Sequence, residues 1–437
     1  MRMLGLAYVV VVMLGAATAL GQKPKFELEH RETRLGRLPE RTLPEQISVS
    51  PDGKRVAYIA SRGVKVIAVV DGKESKPYEW IVRGHIGFTP DSKHVVYQIR
   101  RDDKVITVVD HIDGPAYEGI DDWVCSLQNG RIAYAAKRQG RFVPVIDGKE
   151  GKIYDNVRFG MLVGANHSAF IAEIAGKECL VVDGVEGRQF ERIQDVRMSR
   201  DGKRVAFRAQ RSTDKWYMVV DGVPGTIYSE SEISPACFSD DGSRVGYLAG
   251  PETRRVLVVD GREMPTVGGR PVDGPFFSPD GKHLAYVVAK EGDTAAVVLD
   301  GVEGKTFDFI GDVRFSPDGK RLACVAQRGS RSLVVIDGVE QGQYDRVEGG
   351  SLTFSADGRR VAWVARRDNK QFIVVDGVEG RPYDRVLYQD GLAFSDNQTI
   401  FAMGVIERQV QPTSGDKVAK LITRYDLIGL EISIDEH

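Results

Sequence analysis

Six serines, Ser199, Ser239, Ser278, Ser316, Ser355 and Ser395, each stand before a tight turn, at intervals of 40, 39, 38, 39 and 40 residues. So regular a period dictates the class of fold, because one unit of about 40 residues cannot bury its own apolar faces and must stack on copies of itself. Ser50 and Thr89 carry the series toward the N-terminus. The 110 residues between Thr89 and Ser199 leave room for two degenerate copies, at Leu127 and Gly164, which makes ten repeats. A second marker, an apolar run closing on Asp-Gly, recurs at Asp71, Asp113, Asp147, Asp183, Asp221, Asp260, Asp300, Asp337 and Asp376. Nine of the ten repeats carry it, and the last ends instead in LITRYDLIGLEISID.

The stretch from Phe315 to Val347, FSPDGKRLACVAQRGSRSLVVIDGVEQGQYDRV, shows what one copy can fold into. In SPDGK, Pro317 presets φ and Gly319 is free to turn left-handed, so the chain must reverse there. RLACVAQ and SLVVID are apolar, β-branched runs separated by polar RGSR, and alternation resumes in QYDRV. With the short DVRF run before the turn, each copy holds four strands. Such a unit predicts an all-β fold, a β-propeller of four-stranded antiparallel blades with about ten repeats of ~38 residues. Even spacing favours one wide ring over two smaller ones. The aromatic that recurs in the fourth strand, at Tyr78, Tyr117, Tyr154, Phe190, Tyr228, Phe307, Tyr344 and Tyr383, is expected to pack between blades. Lys23 to Glu32, KPKFELEHRE, is a candidate to pair with the last strands and fasten the ring.

The segment FSPDGKRLAC, with its variants at Ser50 to Tyr58 and Phe277 to Tyr286, resembles the SPDG-type, WD-repeat-like blades of TolB-like propellers and of the propeller domains of prolyl oligopeptidases. The resemblance implies that the loop between the second and third strands lies opposite the SPDG turns, on a face where propellers commonly bind. It does not imply an activity, since one fold hosts many. The recurring Gly-His and Trp-Asp signature of true WD repeats is absent, and no Gly-x-Ser-x-Gly pentapeptide marks a hydrolase.

Residues 1–21 resemble a secretory signal peptide: basic Arg2, an apolar run from Leu4, then small residues at Ala17-Thr18-Ala19 or Ala19-Leu20-Gly21 ahead of a cleavage site. A charged segment follows over 22–44, and the repeats fill 45–437. An uncleaved anchor is the competing reading of the leader; no later run is long and apolar enough to span a bilayer. Export to the periplasm or the extracellular space is therefore expected. Lys plus Arg number 60 against 62 Asp plus Glu, which lacks the basic excess that nucleic acid would favour. Cys125, Cys179, Cys237 and Cys324 fall in different repeats at unlike positions, so they form neither a disulfide framework nor a C-x-x-C metal site. The seven histidines are scattered, and the Asp-Gly set is read as turns, because blade-equivalent aspartates cannot converge on one calcium. No cofactor or metal is expected.

One functional pattern survives. The loop between the second and third strands is repeatedly basic, at Arg62, Arg101, Arg138, Arg211, Arg254, Arg328 and Arg367, while the other face collects acidic turns. A ring of arginines can hold carboxylates or other anions bidentately; ordinary polar hairpin loops are the plainer reading. The leading expectation is an exported, non-enzymatic scaffold binding a protein or an anionic polymer. The alternatives are a carbohydrate-active propeller, a glycoside hydrolase or lyase with carboxylates in a central funnel, and a structural envelope component without a small ligand.

Overall fold

Two kinds of turn cut each repeat into strands. At Asp-Gly both residues adopt left-handed backbone, as at Asp337 (φ 50°) and Gly338 (φ 78°). That is the type I′ pattern, whose twist matches the strands it joins. In the second repeat the turn falls on Asp110 and His111 (φ 47° and 67°). Asp113, taken from the sequence as the turn residue, therefore sits on the following strand, Ile112–Tyr117. At the SPDG turn, Ser316 Oγ donates to Asp318 at 2.6 Å and accepts the Arg321 N–H at 3.0 Å. Gly319 N–H closes on the Ser316 carbonyl at 2.8 Å. The serine is wholly buried, and Ser50, Ser199, Ser239, Ser278 and Ser355 make the same bond to an aspartate two residues on.

The computed structural model describes residues 26–37, 47–126, 130–159, 167–388, 392–410 and 422–436; the expected leader, residues 1–21, lies outside them. It is a ten-bladed β-propeller. In chain order the blades are 47–74, 80–117, 119–150, 156–190, 192–228, 237–264, 270–307, 309–344, 346–379 and 385–436, the last completed by 26–37. Within the first nine blades the sheet order follows the chain order, so the hairpin between second and third strands lies at the opposite end from both turns. Fourth strands face solvent, as in the exposed run of Val302–Phe307.

The core is a series of seams, each shared by two blades. Between blades 8 and 9, Val334, Ile336 and Tyr344 pack on Leu352, Trp363 and Phe372. Blade 10 meets blade 1 through Met403, Val405 and Leu427 against Val49 and Val56, so the ring is closed. The recurring aromatic sits in these seams as expected, and five of the eight are edge-on to an aromatic of the next blade. Tyr117 meets Tyr134 at 6.1 Å, Tyr154 meets Phe170 at 5.8 Å and Tyr344 meets Trp363 at 6.5 Å. Each such pair contributes about 1 kcal/mol beyond the area it buries.

Closure uses the N-terminal strand. Phe26–Arg37 runs antiparallel to Ile422–Glu436, from Phe26 opposite Glu436 to Arg37 opposite Asp426. Phe26 and Leu28 enter the seam between blades 9 and 10. The fastening expected of Lys23 to Glu32 is thus made by a strand that starts at Phe26 and runs on to Arg37.

Candidate binding face

The seven arginines lie at or beside the hairpins joining second and third strands. The structure does not leave them as one free ring. Arg62 bonds Glu74 at 2.8 Å and Arg101 bonds Asp113 at 2.6 Å. Arg138 grips Glu150 with two bonds of 2.6 Å, Arg328 grips Glu340 at 2.8 and 3.1 Å, and Arg367 grips Glu379 at 2.9 and 2.8 Å. Every partner is twelve residues further on, at the start of the fourth strand of the same blade. The glutamates expected to make the opposite face acidic are thus spent on these arginines, and the Arg328 guanidinium holds the Glu340 carboxyl below its ordinary value. Lys290 plays the part in blade 7, 2.8 Å from Glu303.

Arg211 and Arg254 are different. Neither has a carboxylate within ion-pair distance among the described residues, and both are exposed. In blade 5 the reason is in the sequence: DGVPG puts Pro224 where a glutamate stands in DGVEG. Proline is tolerated there because Val223–Tyr228 is an edge strand. In blade 6 the hairpin is replaced by a short 3-10 turn, Glu252–Arg254.

A second layer of charge ties the same face together. The acid that follows the fourth-strand aromatic caps the next blade's hairpin: Glu118 accepts the Gln139 and Gly140 N–H groups at 2.9 and 3.3 Å, and Asp155 accepts Ala175 N–H at 2.8 Å. The first residue of a third strand pairs with such an acid, as Arg141 does with Asp155 at 2.9 Å, Arg331 with Asp345 and Lys370 with Asp384. Fourth-strand carboxylates also staple blades: Tyr117 Oη donates to Glu150 at 2.9 Å and Tyr154 Oη to Glu186 at 3.1 Å. Burial, reinforced by that carboxylate, pushes the Tyr154 phenol up to about 12. The closing strand supplies the same piece, with Tyr383 Oη donating to Glu32 at 2.7 Å.

Among the described residues, two large aromatics stand open on this face. Trp80 and Phe309 are 49% and 53% exposed, at the same repeat position, the first residue of the innermost strand. The sequence reading missed them because the position is held by Arg192, Arg270, Arg346 and Arg385 in other blades.

Toward the axis the innermost strands are broken. Register slips between Gln194 and Arg197 and between Gly311 and Arg314, where Asp195 and Asp312 take φ of 48° and 51°. These carboxylates are engaged: Asp195 by Arg208, Asp312 by Arg314 at 2.7 Å. In blade 9, Glu348 meets Arg366 at 3.0 Å and Arg346 at 3.5 Å. A cavity of about 380 Å³ opens between blades 4 and 5, lined by Arg158, Phe159, Gln194, Asp195 and Arg197 among others. Among the described residues that line it, Asp195 is the one carboxylate.

The SPDG face is more uniform. Each Asp of the Asp-Gly turn takes a backbone N–H on one oxygen and an arginine or histidine side chain on the other, as Asp337 takes Leu322 N–H and Arg321, both at 2.9 Å. Three histidines are not scattered at all: His94, His167 and His283 occupy this arginine position, 2.5–2.6 Å from Asp110, Asp183 and Asp300. Arg321 also reaches the next blade's turn, donating to the Gly358 carbonyl at 3.3 Å. Among the described residues no group of His, Cys, Asp or Glu is placed to hold a metal, and no helix is long and apolar enough to cross a membrane. Cys179, Cys237 and Cys324 are free thiols, burial pushing Cys237 up to about 11 and Cys324 to about 12; the side chain of Cys125 lies outside the description.

No family model matches this chain, and no curated protein does. Solved structures similar to it include a eukaryotic initiation factor, at 13% identity over 70% of this chain and 88% of that one, with a TM-score of 0.46. The β-propeller domain of Cps50 (Swd1) from Myceliophteria thermophila shares 13% identity over 57% of this chain and 96% of that one, TM-score 0.31. TolB from Acinetobacter baumannii shares 16% over 68% and 77%, TM-score 0.30. The blade count rests on the strand pairing and not on these likenesses.

Proposed function

We propose that the protein is an exported, non-catalytic scaffold that binds its partner on the face carrying the hairpins between second and third strands. The observation that carries this reading is the pair of half-exposed aromatics, Trp80 and Phe309, set among arginines on that face. Trp, Tyr and Arg are the residues on which interface energy concentrates, and an exposed large aromatic is otherwise a cost to a soluble disc. The surrounding ion pairs supply a rigid platform rather than a general attraction for polyanions, since five of the seven expected arginines are occupied. Export follows from the leader: the mature chain would begin near residue 22, four residues before the closing strand.

The test is a photo-crosslinking residue placed at Trp80 or Phe309 in cells that make the protein, with Lys203 on the opposite face as control. Discrete adducts from positions 80 and 309 alone support the reading. Equal labelling from all three sites, or none, sinks it. Intact-mass analysis of the exported protein checks the cleavage.

A further inference from the structure

The arginine that ends the second strand has a defined chemical taste, displayed five times within this molecule. At Arg62, Arg101, Arg138, Arg328 and Arg367 it takes an aspartate or glutamate side chain, three times through paired bonds of 2.6–3.1 Å. Blade 5 keeps the arginine and loses the acid, because Pro224 replaces it. Nothing else among the described residues takes its place. Arg192 begins the innermost strand opposite Gln210, the residue before Arg211, so the two cations share one corner of the blade. The hairpin of neighbouring blade 6 adds Arg254 and Arg255, also without a carboxylate partner among the described residues. On the same arc the acids have partners of their own: Glu252 is 3.9 Å from Arg270, Glu191 is 3.3 Å from Lys177, Glu230 accepts from Gln194 at 3.0 Å and Glu232 takes the Ser229 N–H at 3.0 Å.

We propose that this arc, Arg192, Arg211, Arg254 and Arg255, is the docking site for an acidic segment of a partner polypeptide, whose Glu or Asp side chain enters the place Pro224 left empty. A polypeptide is favoured because the intact copies show the carboxylate arriving on a short side chain, in three of them near an exposed aliphatic residue of the same strand or the turn after it, Ile112, Ile153 or Val339. Blade 5 offers that surface in Val223 and Ile227, 68% and 43% exposed. Fork geometry at arginine suits a planar carboxylate. The inference rests on the proposed binding role and narrows it to one arc and one chemistry.

The experiment restores the missing acid. Pro224→Glu gives Arg211 the partner its siblings have. Binding of a fluorescein-labelled peptide of alternating Glu and Gly is followed by anisotropy, with oligogalacturonate as a competitor of matched charge. Wild-type protein is expected to bind the peptide, and both Pro224→Glu and Arg211→Ala to weaken it about tenfold or more. Arg328→Ala, whose arginine is already occupied, is expected to leave it unchanged. Melting temperatures establish that each variant is folded. Full peptide binding by a folded Pro224→Glu, or no binding by the wild type, overturns the inference. Tighter binding of oligogalacturonate overturns it in favour of an anionic glycan. The crosslinks at positions 80 and 309 report on the broader role separately, so either idea can fail alone.

Discussion

Blades 5 and 8 are close copies, yet they spend the same residues differently. Blade 8 reads GDVRFSPDGKRLACVAQR and blade 5 reads QDVRMSRDGKRVAFRAQR. In blade 8, Asp312 is held by its neighbour Arg314, Val325 packs against the seam with blade 9, and Arg328 is gripped by Glu340. In blade 5 an arginine, Arg208, stands at the position of Val325. It takes Asp195, so Arg197 is left donating to the Val196 carbonyl at 3.1 Å; Arg211 lacks an acid for a separate reason, the proline at 224. Arg208 also donates to the Glu230 and Ile233 carbonyls at 2.9 and 3.1 Å, holding the crossover to blade 6. The lesson is that turns and seams are fixed by the repeat, while two substitutions, Arg208 for a valine and Pro224 for a glutamate, change which charges of one blade find partners.

The largest expected effect separates the two blades. Arg208→Ala strands Asp195 in a seam where the arginine is 15% exposed, and should destabilise by about 3 kcal/mol, read from urea unfolding. Arg314→Ala, removing a side chain 41% exposed, should cost less than about 1 kcal/mol. Equal losses would mean that Arg208 is not a buried tie. Next come the buried serines. Ser316→Ala and Ser199→Ala each orphan a backbone N–H, of Arg321 and Arg204, and each should cost about 2 kcal/mol. A gap between them would show that blade 5 is locally softer.

Acid should act on both blades alike. Asp201, lowered to about 2 first by the Ser199 bond, and Asp318, lowered first by Ser316, are depressed carboxylates. Such groups give stability that is whole above their unfolded value, roughly pH 4, and is lost as pH falls through the folded one. Melting temperature should therefore drop between about pH 4 and 2, and less so in Ser199→Ala. The smallest effect is the gain from Pro224→Glu, an exposed ion pair worth at most about 1 kcal/mol.

Much of the architecture was legible because turn chemistry is local. Pro317 and Gly319 announce a reversal with no knowledge of the rest of the chain. The second repeat misled at Asp113, since Asp-Gly recurs three residues beyond the true turn and only backbone φ tells the two apart. The arginine pairs left a trace, a constant spacing of twelve from Arg62 to Glu74 and from Arg328 to Glu340. It went unread because those residues sit two strands apart, and a bulge in the fourth strand decides what they reach. His94, His167 and His283 looked scattered until laid on the arginine position, each sixteen or seventeen residues before its aspartate. Asp195 and Asp312 gave no sign of left-handed backbone, because an aspartate in an alternating run looks like any outward polar residue.

The closing strand sets the order in which the molecule can form. Most seams join stretches of chain one repeat apart, whereas Tyr383 meets Glu32 across 351 residues. Bringing such distant segments together costs about 2 kcal/mol more in chain entropy than joining neighbouring repeats. Nine blades can therefore assemble in sequence while the tenth waits with the edge of Ile422–Glu436 unpaired. Until Phe26–Arg37 arrives, that edge is a place where two unfinished discs can join by mistake.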